Sequence, residues 1–182
     1  MSNAYEQLLS LVKPPAVPVN CGSHDQLEVI EGRLGMRLPT DFKLLIDTYG
    51  SGTWSEEFWI LNPHSTEDAL WWFDEQDLFL KSLREWPWTD PEDNPYPVWP
   101  EPNGLLIWGG QTNGGYMCWQ TTGHPDQWPT VYALDRTPEY FQFEQPCTRF
   151  LLSLLTRTDR MVEHFDFLIR PGRMPFIPKN PS

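Results

Sequence analysis

Leu34-Gly35-Met36-Arg37-Leu38-Pro39-Thr40-Asp41-Phe42-Lys43-Leu44-Leu45-Ile46-Asp47-Thr48-Tyr49-Gly50-Ser51-Gly52 holds the end of one helix, all of a second and the release into a strand. Leu27, Ile30 and Leu34 lie on one face at spacings of three and four, and Gly35 closes that run as a C-terminal cap. Pro39 leads into the next helix with Thr40 as its cap, because a hydroxyl there can accept a free first-turn amide. Phe42, Leu45, Ile46 and Tyr49 form its apolar stripe. Gly50-Ser51-Gly52 ends it, and one of the two glycines is expected at positive φ, where a side chain would be strained.

Upstream, Tyr5, Leu8, Leu9 and Val12 predict a short amphipathic helix over 4–12. The proline-rich stretch 13–18 ends it, and Ser23-His24-Asp25 offers capping groups for the helix of Leu27. Downstream, Trp54, Phe58 and Ile60 predict one straight or bent strand over 53–61. A long helix is expected over 65–86, with Ala69, Trp72, Phe73, Phe79, Leu80 and Leu83 on one arc and Trp71 and Leu78 opposite. Residues 87–102, six of them proline, read as an irregular connection.

The last third changes period. Runs at 104–108, 116–120, 130–134 and 140–143 are separated by Asn113-Gly114-Gly115, Gly123-His124-Pro125-Asp126 and Asp135-Arg136-Thr137-Pro138, the pattern of an antiparallel meander. A helix over 148–156 follows, with Phe150, Leu151, Leu154 and Leu155 as its stripe, and 162–169 can add a turn or two. The reading is a single α+β domain over 1–169, with N-terminal helices packed on an antiparallel sheet and a C-terminal helix. Residues 170–182, with four prolines, read as a tail. Leu34, Phe42, Leu45, Tyr49, Trp108, Trp119, Tyr132, Phe150 and Leu154 are expected to be buried together, the helices forming one layer and the sheet the other.

The chain has 182 residues and a net charge of −12. From Glu56 to Glu101 there are 12 acids against 2 bases, so almost all of the excess lies in one segment. Such a field repels phosphate backbones and draws basic surfaces, which argues against direct nucleic-acid binding. No apolar stretch reaches the roughly 20 residues of a membrane span. The first twelve residues carry an acid and no basic region, so no export signal is expected and the cytoplasm is the expected compartment. Cys21, Cys118 and Cys147 are far apart and form no CxxC pair, so buried free thiols are expected.

Reactive constellations are sparse. His24, His64, His124 and His164 stand alone, with no ligand spacing for a metal. Gly109-Gly110 and Gly114-Gly115 lack a phosphate-cradling pattern, and no GxSxG elbow is present. Glu56-Glu57 and Glu92-Asp93 are paired acids, but the first pair lies on an expected strand, where neighbours point to opposite faces and are poorly placed to act together. No cofactor, metal or catalytic residue is expected.

One pattern is specific. Glu31, Leu34-Gly35, Leu38-Pro39, Asp41-Phe42, Leu45 and Tyr49-Gly50-Ser51-Gly52 resemble the signature of the SUKH superfamily, the Smi/Knr-type domain. The likeness continues through 54–63, Leu105-Leu106-Ile107-Trp108-Gly109 with Thr112-Asn113-Gly114, 128–132 and the helix of Phe150. Gly115 stands where members often carry an acid after the Asn-Gly turn. The resemblance implies a binding protein. Bacterial relatives neutralise polymorphic toxins, often nucleases, and eukaryotic relatives serve as regulatory scaffolds. The expected partner is a basic toxin domain, steered by complementary charge. A housekeeping scaffold and a hydrolase using paired acids in a Trp-rich groove are the alternatives.

The expected docking surface comprises Glu56, Glu57, Glu67, Trp71, Asp74, Glu75, Leu78, Asp90, Glu92 and Asp93, an aromatic-aliphatic pair ringed by carboxylates. The competing expectation is that the loop after Trp86 folds back and buries Trp71 within the chain.

Overall fold

The computed structural model of the chain describes residues 2–22, 24–65, 71–85, 95–112, 114–134, 137, 139–158 and 174–179. Among these, five helices, α1 (Ser2–Leu11), α2 (His24–Leu34), α3 (Thr40–Tyr49), α4 (Trp71–Glu85) and α5 (Cys147–Thr156), accompany a seven-stranded sheet. Its strands are β1 (Gly52–Trp54), β2 (Phe58–Ile60), β3 (Leu105–Gln111), β4 (Tyr116–Gln120), β5 (Thr130–Ala133), β6 (Tyr140–Phe143) and β7 (Phe176–Pro178). They lie in the order β6-β5-β4-β3-β2-β1-β7, every neighbouring pair antiparallel. The fold is the α+β arrangement expected, with α5 closing it.

The nine residues expected to share a core all do so, within one cluster that joins α1, α2, α3 and α5 to Leu106, Trp108, Met117, Trp119 and Tyr132 of the sheet. A two-layer arrangement is too simple, however. Leu105, Ile107, Cys118, Val131 and Ala133 point to the opposite face and pack on Leu80 and Leu83 of α4. β3 and β5 are consequently buried along their whole length. α4 bridges both clusters, contributing Trp72 and Phe73 to the first and Leu80 and Leu83 to the second.

α4 also repairs the sheet. Ile107 lies where β3 has run past the end of β2, just before a register shift at Trp108. The fully buried Gln76 fills that gap: its Oε1 accepts the Ile107 N–H at 3.0 Å and its Nε2 donates to the Ile107 carbonyl. One side-chain amide thereby does the work of a missing strand's peptide.

Three local expectations change. The segment 53–61 is a tight hairpin, not one strand: the Glu57 N–H bonds to the Trp54 carbonyl at 3.1 Å, with Ser55 and Glu56 between them at φ 49° and 62°. Two central residues at positive φ make the turn that matches strand twist. Thr40 is not the cap of α3, because Pro39 takes that place without a side-chain bond. The Thr40 N–H goes instead to Asp126 Oδ1, at 2.7 Å. Within the proline-rich tail, Phe176–Pro178 pairs with β1, because Phe176 packs on Tyr49 and Trp54 and draws the chain to the sheet edge.

Gly50 takes φ 64°, as one of the two glycines was expected to do, and a Cβ there would lie 2.1 Å from the Val19 carbonyl oxygen. Gly35 likewise ends α2 at φ 68°. Ser23 and the stretch 162–169 lie outside the described residues.

Candidate protein-binding surface

The acidic segment folds into α4, whose inner face is fixed by Trp72, Phe73, Gln76, Leu80 and Leu83. The 3.6-residue period then turns Asp74, Asp77, Leu78, Lys81, Arg84 and Glu85 to solvent. Leu78, 62% exposed, is the apolar point of that face. Lys81 sits 3.8 Å from Glu85, and Arg84 donates to the Trp99 carbonyl, so both cations of α4 are engaged along its C-terminal half. Asp74, Glu75 and Asp77 leave the N-terminal half negative.

Trp71 is half-buried and packs on the larger core cluster. The aromatic area beside α4 comes from the sheet, which the sequence reading missed. Strand register lines up Trp59 of β2, Gly110 of β3, Tyr116 of β4, Ala133 of β5 and Tyr140 of β6 in one row. Phe79 of α4 meets two rings of that row, its centroid 5.4 Å from Trp59 and 5.2 Å from Tyr116. Tyr96 extends it, 5.3 Å from Tyr140. Large residues alternate with Gly110 and Ala133, so the rings fit side by side as a half-buried aromatic ledge along α4. Spacing within any one strand could not reveal it, because no strand contributes more than one ring to the row.

Burial, and then the charge of Glu144, pushes the Tyr96 phenol above its ordinary range. Burial first, with Cys118 and Tyr96 adding, does the same for Tyr140. Both rings stay neutral near pH 7 and add no charge to the field set by the carboxylates and the two cations of α4.

Glu56 and Glu57 sit at the tip of the β1–β2 hairpin, and their carboxylates have structural work. The Met174 N–H donates to Glu56 Oε1 at 3.2 Å, and the Thr112 hydroxyl donates to Glu57 Oε2 at 2.8 Å. Trp71, Asp74, Glu75 and Leu78 are brought together on α4. Glu67, Asp90, Glu92 and Asp93 lie outside the described residues.

Elsewhere, His124 is exposed and accepts the Asp126 N–H at 3.3 Å, a turn-capping role. His64 is buried, with Nδ1 2.7 Å from Gln26 Oε1. Cys118 and Cys147 are buried, and burial pushes both thiols up, the Asp41 charge adding to the effect at Cys147. Cys21 departs from expectation and is exposed, since the extended stretch before α2 runs over the surface. No group of three or more His, Cys, Asp or Glu among the described residues is arranged to hold a metal. No helix among them is long and apolar enough to cross a membrane.

The described residues thus form an α+β domain whose sheet is covered on both faces, with an acidic helix flanked by aromatic rings. The family model described as SMI1-KNR4 cell-wall, SUKH_6, matches residues 24–150. The chain belongs to that family and so to the SUKH superfamily. No curated protein and no solved structure matches it significantly.

Proposed function

We propose that this chain is a non-enzymatic binding protein of the immunity type, acting in the cytoplasm and neutralising a basic, nuclease-type toxin by docking on the α4 side. The carrying observation is that α4 presents an exposed Leu78 and the carboxylates of Asp74, Glu75 and Asp77, while its Phe79 joins the aromatic ledge of the sheet. Rings and Leu78 supply area to desolvate, and the acids supply steering toward a cationic partner. The family supports a protein-binding role, since SUKH domains include immunity proteins.

The test is capture from the source cell by the wild-type chain and by the doubly reversed variant Asp74→Lys, Glu75→Lys, followed by nuclease assay of the captured protein. The expected result is a basic nuclease held and inhibited by the wild type and released by the variant. A captured cellular protein with no toxic activity would move the reading to a housekeeping scaffold. Equal capture by both forms would move the docking surface off α4.

A further inference from the structure

The two edges of the sheet are finished differently. At one edge β7 carries Pro178, preceded by Pro175, and proline has no N–H to offer a further strand. At the other edge β6 contains no proline. Its phase is set by the Leu134 N–H, which bonds to the Glu139 carbonyl at 3.1 Å. Stepping by two, Phe141 exchanges bonds with Tyr132, while Tyr140 and Gln142 turn their N–H and C=O groups away from β5. Among the described residues no backbone or side-chain bond reaches those outward groups.

Side chains and charge say what would fit. Phe143 packs into the larger cluster and Phe141 against it, while Tyr140 and Gln142 lie on the α4 face beside Tyr96, whose hydroxyl bonds to Gln142 Oε1 at 2.8 Å. Glu139 and Glu144 are exposed at the two ends of the strand. The Gln142 Nε2 donates to Glu144 Oε1 at 2.8 Å and holds that carboxylate beside the edge. An edge with free ladder groups, a ring on its flank and an acid at each end favours an extended segment bearing Lys or Arg.

We propose that the partner adds such a basic extended segment to β6 as an eighth strand, continuous with the aromatic ledge that ends at Tyr140. This deepens the docking reading above and rests on it in one respect, the basic character of the partner.

Amide hydrogen exchange of the full chain tests it, with a blocked peptide of alternating lysine and valine as the probe. The Tyr140 and Gln142 amides should exchange quickly alone and slow about tenfold or more with saturating peptide. A peptide with glutamate in place of lysine should leave them fast. Gln142→Pro removes the outward backbone donor together with the side-chain bonds to Tyr96 and Glu144, and should abolish the effect at Tyr140. Gln142→Ala loses only those side-chain bonds, keeps the backbone donor and should retain the effect. Amides already slow in the isolated chain, equal protection by both peptides, or protection that grows with chain concentration alone would each overturn the edge as the partner's site. Resonance shifts confined to Asp74 and Glu75 would also overturn it while leaving the α4 docking reading standing. Protection at β6 followed by unchanged toxin capture in the α4 reversal would do the opposite.

Discussion

Asp41, in the first turn of α3, caps the N-terminus of α5: its Oδ2 accepts the Thr148 N–H at 3.0 Å and the Thr148 hydroxyl at 2.6 Å. The same oxygen takes the Cys147 thiol at 3.3 Å, and Oδ1 takes the Phe42 N–H at 2.9 Å. Pro146, the residue before α5, has no polar side-chain atom to offer, so the cap comes from another helix. The acidic-aromatic pair of the family signature thus locks the N-terminal helices to the C-terminal one. Asp41→Ala should destabilise the fold by about 2 kcal/mol, the loss of a charged cap with its donors left unmet. Urea denaturation reads it directly. An unchanged midpoint would mean that α5 is held by its apolar stripe alone.

Asp126 does for α3 what Asp41 does for α5. Partial burial pushes its carboxyl up, but bonds from the Thr40 backbone and side chain, with the charges of His124 and Lys43, outweigh that and hold it below the usual range. A depressed folded-state pKa means that the ionised form favours the fold. The contribution is complete above the unfolded value near pH 4 and fades as pH falls through the lower folded value. Wild type should therefore exceed Asp126→Asn in melting temperature at pH 6, with the gap closing as the solution is acidified below about pH 4. A gap constant down to pH 2 would show that packing, not charge, accounts for it.

Gln76 exposes a different dependence. Gln76→Leu keeps the volume but strands the Ile107 N–H and C=O in the core. Each unmet buried backbone group costs about 1–3 kcal/mol, so a total near 3 kcal/mol is expected. Gln76→Glu should also destabilise, because a carboxylate cannot donate to the carbonyl. A Leu variant as stable as wild type would mean that the gap accepts water.

These residues mark the limit of what spacing reveals. Helix stripes, the nine-residue core and the β4 and β6 boundaries were legible because period and turn chemistry agreed there. The β1–β2 hairpin was not, because Ser55-Glu56 carries neither Gly nor Asn at two left-handed positions. The second layer left a trace that went unread: Leu105-Leu106-Ile107-Trp108 and Val131-Tyr132-Ala133-Leu134 do not alternate with polar residues, as strands buried on both faces need not. The Gln76 bridge and the aromatic row join elements distant in sequence, and only the folded register brings them together.

Gly50 and Gly52 exclude side chains for separate reasons. Gly50 needs its positive φ and abuts the Val19 carbonyl, whereas Gly52 lies under the Phe176 ring, with 2.3 Å to an added Cβ. Gly50→Ala should cost about 1–3 kcal/mol through backbone strain. Gly52→Ala should act through β7, raising exchange or proteolysis at 176–178 before global stability falls. Equal loss of global stability in both would show that β7 and the α3 terminus unfold as one unit.

Leu78 and Trp71 separate binding from folding on the same helix. Leu78 is mostly in solvent, so Leu78→Ala should leave stability within about 0.5 kcal/mol, as for a surface site with no special contact. Trp71 rests on the core, so Trp71→Ala should lose about 2 kcal/mol, roughly half of what a fully buried indole costs. If α4 is the docking face, Leu78→Ala should weaken the partner complex about tenfold, mainly through faster dissociation. Reversal of Asp74 and Glu75 should instead slow association and flatten its dependence on salt. Surface plasmon resonance at two ionic strengths distinguishes these effects. A Leu78→Ala variant that binds with unaltered kinetics would place the contact on another face of the domain, whatever the charge reversal does.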